Sequence, residues 1–387
     1  MVLMVLRWAV LAAAAFPSFY YLGIMLAARR FFRQQDRAPR DFTPPVSILK
    51  PVRGLDLDAY ENYASFCRQD YPQYEIVFGV ASDQDPAVPV IRKLIADFSH
   101  LPIRLLVIAE SFGSNDKVSK LCGLAPAAQH GLLIISDGDI RVGPGYLRSV
   151  AAPFREAQVG AVTSLYAGIP SRRLWSKLEA VNLSADFMPA VLLARQVEGV
   201  HFALGATMAA RREALAEIGG FQALADVAAD DHYLGRKIAA RGYRVELVDG
   251  PVRTMCSAAS FHEFFDHHLR WVVMGRQARP GGYLGYGFTL GLPWTLLAVL
   301  LAPSRVVALG YVAAYLLLRG GVAWMVGVRG LHDRLLKWQG WLVPLWDAFA
   351  FVFWLTSHFS NRIRWRGTEF YVARDRLHPT ASPGDDR

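Results

Sequence analysis

The chain has 387 residues, of which 53% are hydrophobic and 19% charged, and its formal net charge is +9. A typical soluble domain carries about 25% charged residues, so the composition excludes a disordered, collagenous or disulfide-framework protein. The length accommodates roughly two to three domain equivalents, and the location of the surplus apolar residues decides the rest.

Those residues cluster. Residues 8–28 and 280–304 contain no charge; 306–328 is interrupted by Arg319 alone, and 339–361 by Asp347 and His358. A helix needs about 20 apolar residues to cross a bilayer, so all four stretches read as spans. The organisation expected is a transmembrane anchor (1–28), a soluble domain (29–279), a membrane block of about three helices (280–361) and a basic juxtamembrane segment and tail (362–387). Arg29, Arg30, Arg33, Arg37 and Arg40 crowd the end of the anchor, which places the soluble domain in the cytosol. A cleaved signal peptide competes with the anchor, but the apolar run is long and strongly followed by arginine. Three C-terminal spans would put the tail outside, whereas Arg362, Arg364, Arg366, Arg374 and Arg376 favour the cytoplasm. A re-entrant or interfacial segment would reconcile the two. A charge near the bilayer centre is costly, so Arg319 and Asp347 are expected to pair or to share the polar head of a bound lipid; snorkelling and helix capping are the plain alternatives. The arginine excess flanks membrane segments, so lipid headgroups, and not nucleic acid, are its natural partner. Cys67, Cys122 and Cys256 have no paired spacing, which suits a reducing compartment and argues against a zinc cluster.

The soluble domain alternates strands and helices. Strands are expected at 46–50, 74–81, 103–109 and 131–136, with helical patterns after Pro86 and over 117–129. Continuous apolar strands separated by helices indicate a parallel sheet covered on both faces, and ligands of such sheets bind beyond the carboxyl ends of the strands. Residues 380–387, rich in Pro, Gly and Asp, read as a disordered tail.

Ser136-Asp137-Gly138-Asp139 follows the fourth strand. Two carboxylates one small residue apart can reach one divalent cation, and Mg²⁺ is commonly held by one or two carboxylates plus substrate phosphates. An acidic turn is the plain alternative. Three further features favour the metal reading. Asp85 ends a neighbouring strand, although it could simply cap the helix at Pro86. Asp230-Asp231 opens a helix, where capping accounts for one carboxylate but not for two. On a helix expected from 261 to about 279, His267, Arg270 and Trp271 lie at i, i+3 and i+4 and so share a face. The arginine can grip a phosphate bidentately, while the tryptophan offers an apolar wall or belongs to an interfacial belt.

This order of motifs (Asp85, Asp137-x-Asp139, Asp230-Asp231, His267-x-x-Arg270-Trp271) resembles the pattern of processive family 2 glycosyltransferases and of family 21, the ceramide glucosyltransferases. The segments VSILKPVRG, SFCRQDYPQYEIVFGV, ISDGDIRV and FALGATMAARREAL fit as well. LEAVNLSADFMPAVLLAR with ISDGDIRV is similar to a bacterial hopanoid-associated branch. The resemblance implies a GT-A-like α/β fold, with a mostly parallel sheet and helices on both faces, between the N-terminal anchor and the C-terminal helix block. It implies a multi-pass protein of the bacterial inner membrane that moves a sugar from a UDP-sugar to a lipid hydroxyl with inversion. The donor and acceptor would be N-acetylglucosamine and bacteriohopanetetrol or, alternatively, glucose and ceramide; a polysaccharide synthase would need more spans, and a non-enzymatic scaffold would not need the acidic sites. Residue by residue, it assigns Asp85 to the uridine, Asp137 and Asp139 to Mg²⁺ or Mn²⁺ across the diphosphate, and Lys117 to a phosphate. Asp231 becomes the general base, with Asp230 beside it, and Arg270 and Trp271 border the leaving group and the acceptor. His267 stands where the family usually has Gln or Arg. The stretch 183–194 would border the acceptor or be an ordinary core helix.

Overall fold

The computed structural model describes residues 2–35, 39–365, 368–373 and 376–379. Arg37, Arg366, Arg374 and the 380–387 tail lie outside the described residues. The four apolar runs form β1 (Val46–Pro51), β2 (Tyr74–Val80), β3 (Ile103–Val107) and β4 (Leu132–Ile135). Four further strands complete the sheet: β5 (Ile140–Val142), β6 (Val159–Pro170), β7 (Met208–Arg211) and β8 (Arg244–Cys256). The order is β3-β2-β1-β4-β7-β6-β8-β5. Pairings β2–β3, β1–β2, β1–β4 and β6–β8 are parallel, and β4–β7, β6–β7 and β5–β8 antiparallel. The sheet is therefore mostly parallel but mixed.

Side chains alternate across a strand, and both faces are covered. Ile48, Ile76, Phe78 and Ile134 meet Tyr63, Phe66, Ile91 and Leu94 on one face, while Leu49, Val77, Leu133 and Ile135 meet Val118, Leu121, Leu124 and Leu234 on the other. This double burial explains why β4 is an unbroken apolar run and why β1 and β2 are mostly apolar, with Ser47, Lys50 and Glu75 as buried exceptions. From β1 the chain turns outward to β2 and β3, then returns to place β4 on the opposite side of β1. The crevice at that reversal, beyond the carboxyl ends of β1 and β4, is where such sheets bind ligands.

Of the four expected spans, two helices are long and apolar enough to cross a membrane: Met4–Gln35, of 32 residues, and Arg305–Gly330, of 26. Residues 280–304 instead form a pair, Pro280–Tyr286 and Gly291–Leu301, bent by 45° as a broken span or a re-entrant loop. The last apolar helix, Leu342–Ser357, has only 16 residues. The bend lies at a site of tertiary contact: Gly287 leaves no room for a Cβ beside the Trp354 ring, and the Tyr21 hydroxyl accepts from Gly291 N at 3.1 Å. Hydropathy registers neither contact.

Arg319 and Asp347 do pair. Both are about 5% exposed; the guanidinium donates to the carboxylate at 2.6 and 2.9 Å, and the Tyr315 hydroxyl adds a bond at 2.8 Å. Arg319 also bonds the carbonyl of Ala185, tying the Arg305–Val322 helix to the Leu183–Phe187 helical turn. Removing one partner of a buried ion pair strands the other charge at a cost of about 3–5 kcal/mol. Either Arg319→Ala or Asp347→Ala is expected to lower thermal stability in detergent, and the exchange Arg319→Asp with Asp347→Arg to recover part of the loss. Two wild-type-like single variants would show that the pair contributes nothing.

The stretch expected as a basic tail carries three antiparallel strands, β9 (Arg362–Trp365), β10 (Thr368–Ala373) and β11 (Arg376–Pro379). Ile363, Phe370 and Val372 turn inward onto Val273 and Ala228, while Arg362, Arg364, Glu369 and Tyr371 stay exposed. Arg362 and Arg364 occupy the exposed face of this period-two pattern.

Candidate active site

Asp137 and Asp139 leave the end of β4 and flank Gly138 at the crevice. Across from them the Asp116–Ala127 helix begins, capped by the Asn115 side chain, which accepts from Val118 N at 3.2 Å. That cap aims Lys117 into the crevice, where its Nζ lies 2.9 Å from Asp137 Oδ1 and 3.3 Å from Asp230 Oδ2. Burial alone would disfavour the lysine's charge, but Asp137, Asp230 and Asp231 outweigh it and hold its pKa well above the ordinary value. Asp139 accepts a 2.7 Å bond from the Thr254 hydroxyl of β8; burial and the neighbouring Asp137 push its carboxyl up to about 6.

Asp230 and Asp231 start the Asp230–Ala240 helix. Asp231 accepts from His232 N at 2.7 Å, and burial together with Asp230 pushes its carboxyl up to about 6. Between Asp231 and Asp137 stands Gly205. A Cβ there would lie 3.1 Å from Asp231 Oδ2 and 4.0 Å from Asp137 Oδ2, so the missing side chain keeps a gap between the two carboxylates.

Asp85 sits one strand over. Its carboxylate accepts from Gly54 N and from Ala87 N, each at 2.9 Å. It thus caps the next helix and also pins the turn after β1, where Gly54 has φ +72°. The capping expected of Asp85 is present, together with a second grip that sequence did not reveal.

On the Phe261–Ala278 helix, His267 Nδ1 is 2.7 Å from Glu179 Oε1, and the other oxygen of this buried carboxylate accepts from Ala258 N at 3.1 Å. Trp271 packs edge-on against His267, with ring centroids 4.9 Å apart, and lies 6.0 Å from Phe187. Arg270 is half-buried on the same helix. Phe187, from the stretch expected to border an acceptor, in turn meets Tyr166 of β6 at 6.4 Å. The crevice therefore has a charged end and an aromatic end, with Tyr166 between them.

Besides Gly205 and Glu179, Lys50 and Tyr63 are not singled out by the sequence. Lys50 of β1 is fully buried, donates to the carbonyl of Asp137 at 2.9 Å and lies 3.7 Å from the Phe66 ring centroid; burial, opposed by Asp137 and Asp139, pushes its pKa down to about 7. A lone lysine inside the apolar run VSILKP was the available signal. Tyr63 is fully buried with an unbonded hydroxyl, and burial with Asp56, Asp85 and Asp139 raises its phenol.

A mixed sheet with acidic side chains gathered at this crevice is the architecture of a GT-A glycosyltransferase. The mannosyltransferase PcManGT from Pyrobaculum calidifontis, solved with GDP-mannose and Mn²⁺, shares the fold with a TM-score of 0.53 at 18% identity, over 89% of this chain and 99% of that one. The chain belongs to glycosyl transferase family 21, whose model matches residues 6–377. Ceramide glucosyltransferase 1 of Caenorhabditis elegans is 25% identical over 267 residues, 68% of this chain and 57% of that protein. Ceramide glucosyltransferase of Komagataella phaffii is 31% identical over 156 residues, 37% of this chain and 31% of that protein. The matched part thus spans less than two thirds of either relative.

If the gap at Gly205 holds reacting atoms, filling it should stop catalysis without unfolding the protein. Gly205→Ala is expected to reduce turnover about 10²-fold, the scale of an ångström-sized misplacement, with an unchanged melting temperature. A variant with full turnover would show the gap to be incidental.

Proposed function

We propose that this glycosyltransferase moves a sugar from a UDP-sugar to a hydroxyl of a membrane lipid, with inversion, on the cytosolic side of a bacterial inner membrane. The observation that carries the reading is the convergence of Asp231 and Asp137 on Gly205, whose missing side chain leaves the space beside both carboxylates open. Asp231 takes the proton of the acceptor hydroxyl as its oxygen bonds to the anomeric carbon. The bond from that carbon to the diphosphate breaks, and the electron pair leaves with UDP. With Asp231 as base, transfer is a single displacement, so an α-linked donor gives a β-linked product. Lys117 lies where it can meet a phosphate, and Arg270 and Trp271 border the leaving group and the acceptor.

Asp137 and Asp139 fit a Mg²⁺ or Mn²⁺ ion. Among the described residues no three His, Cys, Asp or Glu side chains converge to hold one unaided, but two carboxylates completed by diphosphate oxygens are a common Mg²⁺ arrangement. Asp139 is half-buried and strained electrostatically by Asp137, a state that a cation relieves. When bound, the ion neutralises charge on the departing diphosphate. The Mn²⁺ in the PcManGT structure supports the same reading.

The lipid acceptor is supported by the membrane helices and by the wall of Phe187 and Trp271 that leads toward them. A cavity of about 310 Å³, lined by Tyr315, Arg319, Trp324 and Trp341 among others, opens within the helix block. The hopanoid-like segment LEAVNLSADFMPAVLLAR favours N-acetylglucosamine and bacteriohopanetetrol; the relatives named ceramide glucosyltransferases favour glucose and ceramide. Purified full-length protein offered both donors and both lipids, with the products read by mass spectrometry and the anomeric linkage by NMR, tests every part. Nucleotide release without a glycolipid product would overturn the lipid acceptor.

A further inference from the structure

Tyr166 occupies the middle of the crevice and has no role in the assignments above. It lies on β6 opposite Val252 of β8, two residues before Gly168, which pairs with the Thr254 that holds Asp139. Its ring meets Phe187 edge-on at 6.4 Å, and Phe187 meets Trp271, so Tyr166 joins the acidic end of the crevice to its aromatic wall. Asp231, Asp139 and Asp137 all lie close enough to act on its phenol; with burial, they raise its pKa well above the ordinary value, so the hydroxyl keeps its proton. The residue is 7% exposed. Among the described residues its hydroxyl makes no hydrogen bond, yet unlike that of Tyr63 it is not sealed off from the surface.

A donor in such a place has a narrow choice of partner. The carboxylates around it can accept hydrogen bonds from sugar hydroxyls, but they cannot donate to the oxygens of those hydroxyls. Lys117 provides positive charge for a phosphate, whereas a neutral phenol amid carboxylates suits a neutral polyol oxygen. Close to Asp231, Asp139 and Asp137, the phenol is where the reading of this site as a sugar-nucleotide centre, on which the inference rests, puts the transferred ring.

We propose that the Tyr166 hydroxyl binds substrate directly, donating a hydrogen bond to one hydroxyl oxygen of the sugar being transferred. The bond holds that ring between the base and the diphosphate, so Tyr166 helps to select the sugar.

Tyr166→Phe in the full-length protein tests this, because it removes one oxygen and keeps the ring on Phe187. UDP affinity, measured by calorimetry, should stay within about twofold, since the nucleotide does not touch the phenol. The kcat/KM for the UDP-sugar should fall about tenfold, the scale of one net hydrogen bond. A series of UDP-sugars lacking one hydroxyl each should contain one donor for which Tyr166→Phe causes no further loss, while the others lose the full factor. Wild-type kinetics in the variant, an equal loss with every deoxy donor, or a parallel loss of UDP affinity would each overturn the proposal. Absence of UDP binding to the wild-type protein would overturn the functional reading itself, and the role of Tyr166 with it.

Discussion

Asp137→Asn and Asp139→Asn are each expected to reduce sugar transfer by roughly 10³-fold, because a metal's electrostatic contribution to such a step is worth several kcal/mol. The two changes should differ outside catalysis. Asp139 is half-buried and bonded to Thr254, and loss of its charge relieves repulsion from Asp137, so Asp139→Asn should be as stable as wild type or more so without metal. Asp137 instead balances Lys117 at 2.9 Å, and Asp137→Asn leaves that lysine to Asp230. Paramagnetic Mn²⁺ titration in the presence of UDP supplies a readout separate from activity, and both variants should weaken Mn²⁺ binding. Full transfer in excess chelator would remove the metal from the mechanism while leaving the fold unaffected.

Asp231→Asn is expected to lower turnover by about 10²–10⁴-fold, the usual contribution of a positioned general base, with UDP affinity close to wild type. The same residue sets the pH profile. A base acts when deprotonated, and burial with Asp230 pushes this carboxyl up to about 6. Wild-type turnover should therefore be level above that pH and fall about tenfold per unit below it, and the variant should lose this limb. A variant that released UDP affinity as severely as Asp137→Asn would contradict the division of roles. A rate independent of pH from 5 to 8 would remove Asp231 as the base.

Much of this protein was legible along the chain wherever the cause is local. β1, β2 and β4 announce themselves because strands buried on both faces are predominantly apolar. Asp137, Asp139, Asp230 and Asp231 could be singled out because neighbours in sequence share one turn or one helix start, and capping explains only part of their number. His267, Arg270 and Trp271 followed from helical spacing. The anchor followed from the length of its apolar run, and the arginines after it set its orientation as an expectation. The right half of the sheet was harder to see. β7 is the short MAAR, and the long β8 contains Asp249-Gly250, residues that in isolation read as a turn.

What the chain could not show is whatever depends on contact between distant segments. Lys50 belongs to the site because β1 pairs with β4, 86 residues on, and carries it under Asp137. Glu179 holds His267 from 88 residues away. Tyr166 is placed by the pairing of β6 with β8, and Gly205 matters only because two carboxylates converge on it. The same holds in the membrane block. Composition placed a charge in each of two apolar segments, but only packing of those helices put Arg319 within 2.6 Å of Asp347, and the contacts of Trp354 and Tyr21 at the bend of the 280–304 stretch likewise arise only on folding. The sequence by itself determined the apolar periods, the caps and the clustered acids, because these arise from bonds between near neighbours. The tertiary structure alone decided which side chains close the crevice and which helix crosses unbroken, because both depend on excluded volume and electrostatics between segments that meet only after folding.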